Sequence, residues 1–270
     1  MRSHVFRSFL GLLLLAAAPA VRAAGDTPAY EAAPRTDPNS QRAHEQLLEK
    51  ARRGGIDLYF EGDSITRRWG ASDYPDFLSN WRSNFYGWNA GDFGWGADRI
   101  QNILWRLQNG ELDGVNPKVI VILAGTNNVG KMPGDDAKVA EITRGMKAVV
   151  DLCRAKAPAA TIVLMAIFPR NDSMAVIPTI DRINRNLEQL ADGKSVRFLS
   201  INDKLADKNG VLFAGLSVDK LHPTLKGYEI WAEGLRPLLV ELLGPPSSVD
   251  HAPPPTGDPG VKANRDQRNS

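Results

Sequence analysis

Four short apolar segments alternate with amphipathic stretches along the chain. The segments cover residues 56–60, 119–123, 161–168 and 196–201, and each is rich in Val and Ile or in other β-forming residues. Their apolar character is nearly continuous, which is typical of strands that are covered on both faces. The pattern therefore predicts buried strands at these four places.

Between the strands, apolar residues recur at a spacing of three and four. This spacing predicts helices over residues 41–53, about 98–110, 136–156, about 180–190, and from just after Pro223 to about 243. Because strands and helices alternate, the sequence predicts an α/β fold: a three-layer α/β/α sandwich with a mostly parallel central sheet. In open sheets of this kind, ligands bind at the carboxyl ends of the strands.

The two ends of the chain differ in composition from its middle. Residues 1–24 have a basic start, a short apolar run and small residues up to Ala23 and Ala24, which predicts a cleaved signal peptide. The run is shorter than the roughly 20 residues of a membrane span, so we expect removal rather than a stable membrane anchor. We therefore expect a secreted or periplasmic protein, with a flexible lead-in at 25–40, a folded domain at 41–244 and a disordered tail at 245–270.

Charge and cysteine content exclude several classes of function. Loss of the leader with its three arginines takes the formal net charge from +2 to −1, which does not suit a nucleic-acid-binding protein. The single cysteine, Cys153, lies among apolar residues at helical spacing, so we expect a buried thiol rather than a nucleophile. With one cysteine and few histidines, the sequence shows no zinc-type cluster, and we expect neither a metal nor a cofactor.

Two polar residues follow the first two predicted strands. Ser64, in the block 62–64, supplies a hydroxyl that can act as a nucleophile, and Asn127, in the block 125–128, supplies an amide donor for an oxyanion. Taken alone, each block equally suits an ordinary turn or a helix cap. Their shared position after strands favours one site at the carboxyl edge of the sheet.

Only one histidine lies in the body of the domain. The other three lie in the leader, in the first helix and in the tail: His4, His44 and His251. If an imidazole activates Ser64, His222 is therefore its source. Asp219, three residues earlier, can orient the ring, although an Asp–His pair of this spacing could also be a plain surface pair.

Together with the glycine-containing loop 93–98, these blocks resemble the SGNH (GDSL-type) hydrolase family over residues 56–243. The stretch 93–107 is most similar to the branch formed by the catalytic subunits of platelet-activating-factor acetylhydrolase. The resemblance implies a flavodoxin-like sheet and an SGNH hydrolase domain at 41–244.

The resemblance also implies the role of each site residue. Ser64 would be the nucleophile, His222 the base and Asp219 its orienting acid. The oxyanion hole would be formed by the Ser64 amide, the Asn127 side chain and an amide of the loop 93–98. That last amide is the one of Ala97, at a position where the family usually has Gly, and Gly96 is a second candidate.

The expected function is that of a secreted serine ester hydrolase which removes short acyl groups, acetyl by resemblance, from a small-molecule or glycan ester. Aromatic residues between the first two blocks could stack on sugar rings or pack in the core, with packing favoured for Trp105. They are Trp69, Trp81, Tyr86, Trp88, Trp95 and Trp105. The alternatives are a lysophospholipase or thioesterase for longer acyl chains, and a non-catalytic carbohydrate-binding protein.

Overall fold

A computed structural model describes residues 27–261, so the predicted leader lies outside the described residues. Its centre is a five-stranded parallel sheet in the order β2-β1-β3-β4-β5. The strands are β1 Leu58–Gly62, β2 Ala90–Asp92, β3 Val119–Leu123, β4 Thr161–Met165 and β5 Val196–Leu199. This is the expected fold class, and the strand order reverses between β1 and β3, where such sheets bind ligands.

Helices cover both faces of the sheet. They are α1 Pro38–Arg53, α2 Ser64–Gly70, α3 Pro75–Phe85, α4 Ile100–Arg106, α5 Thr126–Val129, α6 Asp136–Lys156, α7 Ile177–Glu188, α8 Asn202–Leu205 and α9 Leu225–Leu243. One apolar core lies between the sheet and α1, α4, α6 and α7, and a second lies between the sheet and α2, α3 and α9. Within residues 27–261, no helix is both long and apolar enough to cross a bilayer.

Side chains of successive strand residues enter opposite cores. In β3, Ile120 and Ile122 lie in the first core, whereas Val119, Val121 and Leu123 lie in the second. This alternation is that of a strand buried on both faces, which is why the apolar run of β3 has no polar interruption.

The segment before α1 is not the flexible lead-in that its composition predicts. Ala29 and Ala33 are buried, and the Ala29 amide donates to Glu141 Oε1 of α6 at 3.0 Å. The Ala33 amide donates to the Gln101 carbonyl oxygen at 2.9 Å. The prediction of a flexible lead-in is therefore wrong for residues 27–40. Their backbone groups form hydrogen bonds with the domain, which the composition of the segment does not indicate.

The segment after α9 is likewise not a disordered tail over residues 245–261. Thr256 accepts a hydrogen bond from Lys50 Nζ at 3.0 Å, and Asp250 Oδ2 accepts one from the Gly87 amide at 2.6 Å. Its proline-rich composition suits an extended path across the surface, so the prediction of disorder is wrong here. Residues 262–270 lie outside the described residues.

Cys153 lies fully buried on α6, as expected. Burial raises the pKa of its thiol well above the ordinary value. The thiol is therefore a core group rather than a nucleophile.

Candidate active site

Ser64 lies at the tight turn between β1 and α2. A Cβ on Gly62 would lie 2.4 Å from the Leu123 carbonyl oxygen of the neighbouring strand, so only glycine fits at the strand end. Asp63 then caps α2, with Oδ1 accepting from the Ile65 amide at 2.9 Å. Ser64 is the first residue of the helix, where a backbone N–H has no carbonyl partner within the helix.

The structure brings the three predicted residues of the acyl-transfer chemistry together. Ser64 Oγ lies 2.9 Å from His222 Nε2, and His222 Nδ1 lies 2.7 Å from Asp219 Oδ2. Asp219 Oδ1 also accepts from the amides of His222 and Leu221, at 2.8 and 3.1 Å. The carboxylate therefore holds both the ring and the backbone of the histidine.

The loop that carries His222 is fixed from both sides. The Asn171 amide, in the segment after β4, donates to the Lys220 carbonyl oxygen at 2.7 Å. Ser217 Oγ donates to the His222 carbonyl oxygen at 2.9 Å. Lys220 has a φ of +68°, a conformation that lysine rarely adopts. These contacts hold the loop in its turn, so the imidazole meets Ser64 without rearrangement.

Asn127 lies in the first turn of α5, directly after β3. Its Nδ2 donates to the Asp98 carbonyl oxygen at 2.8 Å. A side-chain amide has two N–H donors, so this bond fixes the group while a second donor remains for a ligand. The predicted oxyanion donor therefore lies beside the loop 93–98, as expected.

Ala97 has a φ of +62°, in the left-handed region that favours glycine. For an alanine this conformation costs about 1–2 kcal/mol. The close backbone approach in this loop occurs at Gly94, where a Cβ would lie 2.5 Å from the Arg67 amide nitrogen. Gly96 has open space at its Cβ position, so no close contact requires glycine there.

A buried arginine anchors the end of this loop. Arg106 donates to Asp98 Oδ2 and to Glu61 Oε1, each at 2.7 Å, and also to Glu111. Its Nη1 reaches the Phe93 carbonyl oxygen at 2.9 Å. Burial raises the pKa of Glu61 to about 8, and the Arg106 guanidinium opposes this effect. The cluster joins β1 to both ends of the loop 93–98.

The other histidines among the described residues lie away from Ser64. His44 Nδ1 pairs with Glu111 Oε1 at 2.6 Å, on the far side of the Arg106 cluster. The His251 amide donates to Asn89 Oδ1 at 2.6 Å, in the segment after α9. Among the histidines of residues 27–261, His222 is the one that contacts Ser64.

Most of the aromatic residues between the first two blocks pack in the interior. Trp69, Trp81, Trp88 and Trp95 are buried, and Trp105 packs against His44 with ring centroids 4.9 Å apart. Tyr86 is exposed at the end of α3. The interpretation as a sugar-stacking platform is therefore wrong for the four buried tryptophans, and their burial supports core packing instead.

A sequence model of the GDSL-like lipase/acylhydrolase family matches residues 60–230. The chain belongs to this family. Its activity class is thus that of a carboxylic ester hydrolase, and the resemblance stated from the sequence is confirmed.

Known proteins resemble this GDSL-like hydrolase in sequence and in fold. The platelet-activating factor acetylhydrolase IB subunit alpha1 of Bos taurus is 28% identical over 218 residues, which cover 80% of this chain and 89% of that protein. A GDSL-like lipase from Bacteroides thetaiotaomicron superposes with a TM-score of 0.59 at 19% identity, covering 74% and 97% of the two chains. An acetylxylan esterase from Geobacillus stearothermophilus gives 0.51 at 20% identity, covering 68% and 94%. The solved structures confirm the three-layer α/β fold.

Two arginines beside the site of this hydrolase were missed from the sequence. Arg68 lies one helical turn after Ser64 on α2, and its Nη1 is 3.9 Å from Asp219 Oδ2. Arg35, in the segment before α1, donates to the Gly96 carbonyl oxygen at 3.1 Å. The spacing of four residues from Ser64 could have indicated Arg68 had α2 been predicted, whereas no local signal indicates Arg35.

Burial and neighbouring charges set the protonation of His222. Burial of the imidazole lowers its pKa below the ordinary 6.5, while the Asp219 carboxylate opposes this effect. The guanidinium groups of Arg68 and Arg170 lower the pKa further. The balance favours the neutral ring, which is the form that can accept a proton from Ser64.

Replacing Arg68 by glutamine is expected to move the acid limb of the pH–activity profile to higher pH. The limb reports loss of the neutral His222, so in the unaltered protein its midpoint lies below 6.5, and activity rises as pH rises through it. Removal of the Arg68 charge makes protonation easier and raises that pKa. The measurement is kcat/KM for an acetyl ester between pH 4 and pH 9, with Arg82→Gln, an exposed arginine on α3, as the matched control. An unchanged or lower midpoint in Arg68→Gln would contradict this electrostatic role.

Proposed function

We propose that this protein is a serine esterase that removes short acyl groups, acetyl above all, through Ser64, His222 and Asp219. The observation that carries the proposal is the continuous hydrogen-bonded path from Ser64 Oγ to His222 Nε2, at 2.9 Å, and from His222 Nδ1 to Asp219 Oδ2, at 2.7 Å. Both distances suit direct proton transfer and ring orientation without further motion.

The cycle follows from these positions. His222 Nε2 takes the proton of Ser64 Oγ as that oxygen attacks the ester carbonyl carbon. The ester C–O bond then breaks, and the alcohol leaves with the proton held on His222. Water next loses a proton to the same nitrogen and attacks the acyl–Ser64 ester, which releases the carboxylic acid and restores the serine. Asp219 keeps its charge throughout and stabilises the imidazolium.

Negative charge on the carbonyl oxygen requires donors that are already in place. The proposed donors are the amides of Ser64 and Ala97 and the side chain of Asn127. The Ser64 amide is at the start of a helix, and Asn127 is held by the Asp98 carbonyl oxygen. Gly96 remains the alternative amide of the same loop.

The preference for acetyl is supported by the sequence relative whose name is that of an acetylhydrolase. The proposal includes acetylated carbohydrate as a substrate class, but the buried tryptophans do not support it, because they cannot stack on a sugar. Export belongs to the proposal as well, supported by the basic start and short apolar run of residues 1–24.

A groove beside the His222 loop favours a second candidate, the hydrolysis of longer acyl chains. The groove has a volume of about 410 Å³, adjoins Lys220, and is lined by Met174 and Phe213. Both of these apolar side chains are exposed. A groove of this kind can accommodate an alkyl chain.

A series of 4-nitrophenyl esters with acetyl, butyryl and octanoyl groups distinguishes the two candidates. We expect kcat/KM to be highest for the acetyl ester and to fall as the chain lengthens. Release of acetate from acetylated xylan and from simple alkyl acetates, measured in parallel, then shows whether the alcohol part of the preferred substrate is a carbohydrate or a simple alkyl group. A rate that rises with chain length would overturn the acetyl preference and support the second candidate. Met174→Ala should then lower the octanoyl rate selectively.

A further inference from the structure

The segment of residues 27–40, here called the N-terminal segment, runs beside the loop that contains Ala97. The two stretches run in opposite directions, and their contacts occur in reverse order along the chain. Trp95 Nε1 donates to Ser40 Oγ at 2.8 Å, Arg35 Nη1 donates to the Gly96 oxygen at 3.1 Å, and the Ala33 amide donates to the Gln101 oxygen at 2.9 Å. The N-terminal segment thus supports the loop from outside the sheet.

The contact at Gly96 acts on one particular peptide group. In a trans peptide, the carbonyl oxygen of one residue and the N–H of the next lie in one plane and point in opposite directions. The Gly96 carbonyl and the Ala97 N–H belong to the same group. By fixing the Gly96 oxygen, Arg35 therefore fixes the direction of the Ala97 N–H, which is the proposed oxyanion donor.

The peptide has a reason to turn away from this orientation. Ala97 has a φ of +62°, and turning the Gly96–Ala97 peptide plane by half a turn would bring this φ to the negative values that alanine prefers. Gly96 can absorb the compensating change in ψ, since it has no side chain and open space around its Cβ position. The turn would carry the N–H to the opposite side of the loop.

Arg35 is itself held in place. Its Nη2 lies 2.9 Å from Asp37 Oδ2, and Asp37 caps α1 by accepting from the Ser40 amide at 2.9 Å. Arg35 Nη1 also reaches Asp98 Oδ1, at 3.4 Å. The guanidinium group is thus oriented by a helix cap before it meets the loop.

We propose that Arg35 is a positioning residue for ester hydrolysis, which keeps the Gly96–Ala97 peptide turned so that its N–H serves the oxyanion hole. The inference rests on the proposed function. Arg106 also binds Asp98, but it lies buried among three carboxyl groups. Replacing Arg106 would leave these groups buried without their partner and would therefore lower the stability of the whole domain. The Arg35 side chain is 27% exposed, so it can be replaced with little effect on the core.

The test uses Arg35→Met and Arg35→Lys, each in the unaltered chain and with Ala97→Gly. With 4-nitrophenyl acetate, Arg35→Met is expected to lower kcat by up to about 100-fold, with KM nearly unchanged, because the lost donor acts on the transition state. Lysine keeps a charged donor and should recover part of the loss. With Ala97→Gly the loss should be smaller, because glycine has no preference for the turned peptide.

Arg53→Met, which removes an exposed ion pair on α1, is the matched control, and thermal unfolding is followed for every variant. An unchanged kcat in Arg35→Met would overturn the inference, as would a loss of kcat that is equal with and without Ala97→Gly. A loss of kcat that parallels a fall in melting temperature, and that is as large in Arg35→Lys as in Arg35→Met, would also overturn it. If Ser64→Ala keeps full activity, the proposed function itself fails. If Ser64→Ala is inactive while the Arg35 variants are normal, only the role of Arg35 fails.

Discussion

Replacing Ser64 by alanine is expected to lower kcat for 4-nitrophenyl acetate by on the order of 10⁶-fold, down to the background rate. The change removes the oxygen that attacks the ester and leaves His222 without a proton to take. Alanine is a good helix former and suits the first turn of α2, so the fold should be retained. The measurement is product release by purified protein, with circular dichroism to verify the fold.

Ser83→Ala is the matched control for this variant. Ser83 is exposed on α3, and its hydroxyl donates only to the Ser79 carbonyl oxygen one turn earlier. The control should retain the activity of the unaltered protein. Turnover that persists in pure, folded Ser64→Ala would remove Ser64 from its role, and the proposed mechanism with it.

Replacing Asp219 by asparagine is expected to lower kcat by about 10⁴-fold. The asparagine side chain would keep an oxygen for the amides of Leu221 and His222, which now bond to Asp219 Oδ1. The new NH₂ group would then face His222 Nδ1 at the place of Oδ2. A donor there forces Nδ1 to accept and leaves the proton on Nε2, so the ring cannot take the proton of Ser64.

Asp207→Asn provides a close control for the change at Asp219. Asp207 is also exposed in a loop, and its Oδ1 accepts from the amides of Asn209 and Val211, each at 2.9 Å. It has the same backbone-capping role without a histidine. Equal rates in Asp219→Asn and Asp207→Asn would show that the carboxylate orients the loop backbone but does not set the protonation of the imidazole.

The strands could be predicted where burial on both faces leaves a strong apolar signal. β3 was predicted at its observed bounds because all five of its residues are buried. β1 was expected to end at residue 60, but it continues through Glu61, a charged residue that enters the interior only because Arg106 binds it. β2 was missed because its three residues, with a central glycine, carry no periodic signal.

The site was accessible to sequence reasoning where single residues carry its chemistry. One histidine in the domain body, with an aspartate three residues before it, indicated His222 and Asp219, and the family resemblance then implied their roles. Arg35 was not accessible in this way, because its role depends on contacts between elements distant in the chain, and Arg68 was missed because α2 was not predicted. The prediction of flexibility for the segments before α1 and after α9 was wrong for a similar reason. The polar backbone groups of both segments form hydrogen bonds with the domain surface, and composition does not indicate such contacts.

The burial of the tryptophans decides what optical spectroscopy of this protein can reveal. Trp69, Trp81 and Trp231 share one aromatic cluster around Phe60, away from water. Their emission should therefore lie at short wavelength in the native state and shift to the red on denaturation. Intrinsic fluorescence is thus suited to following unfolding.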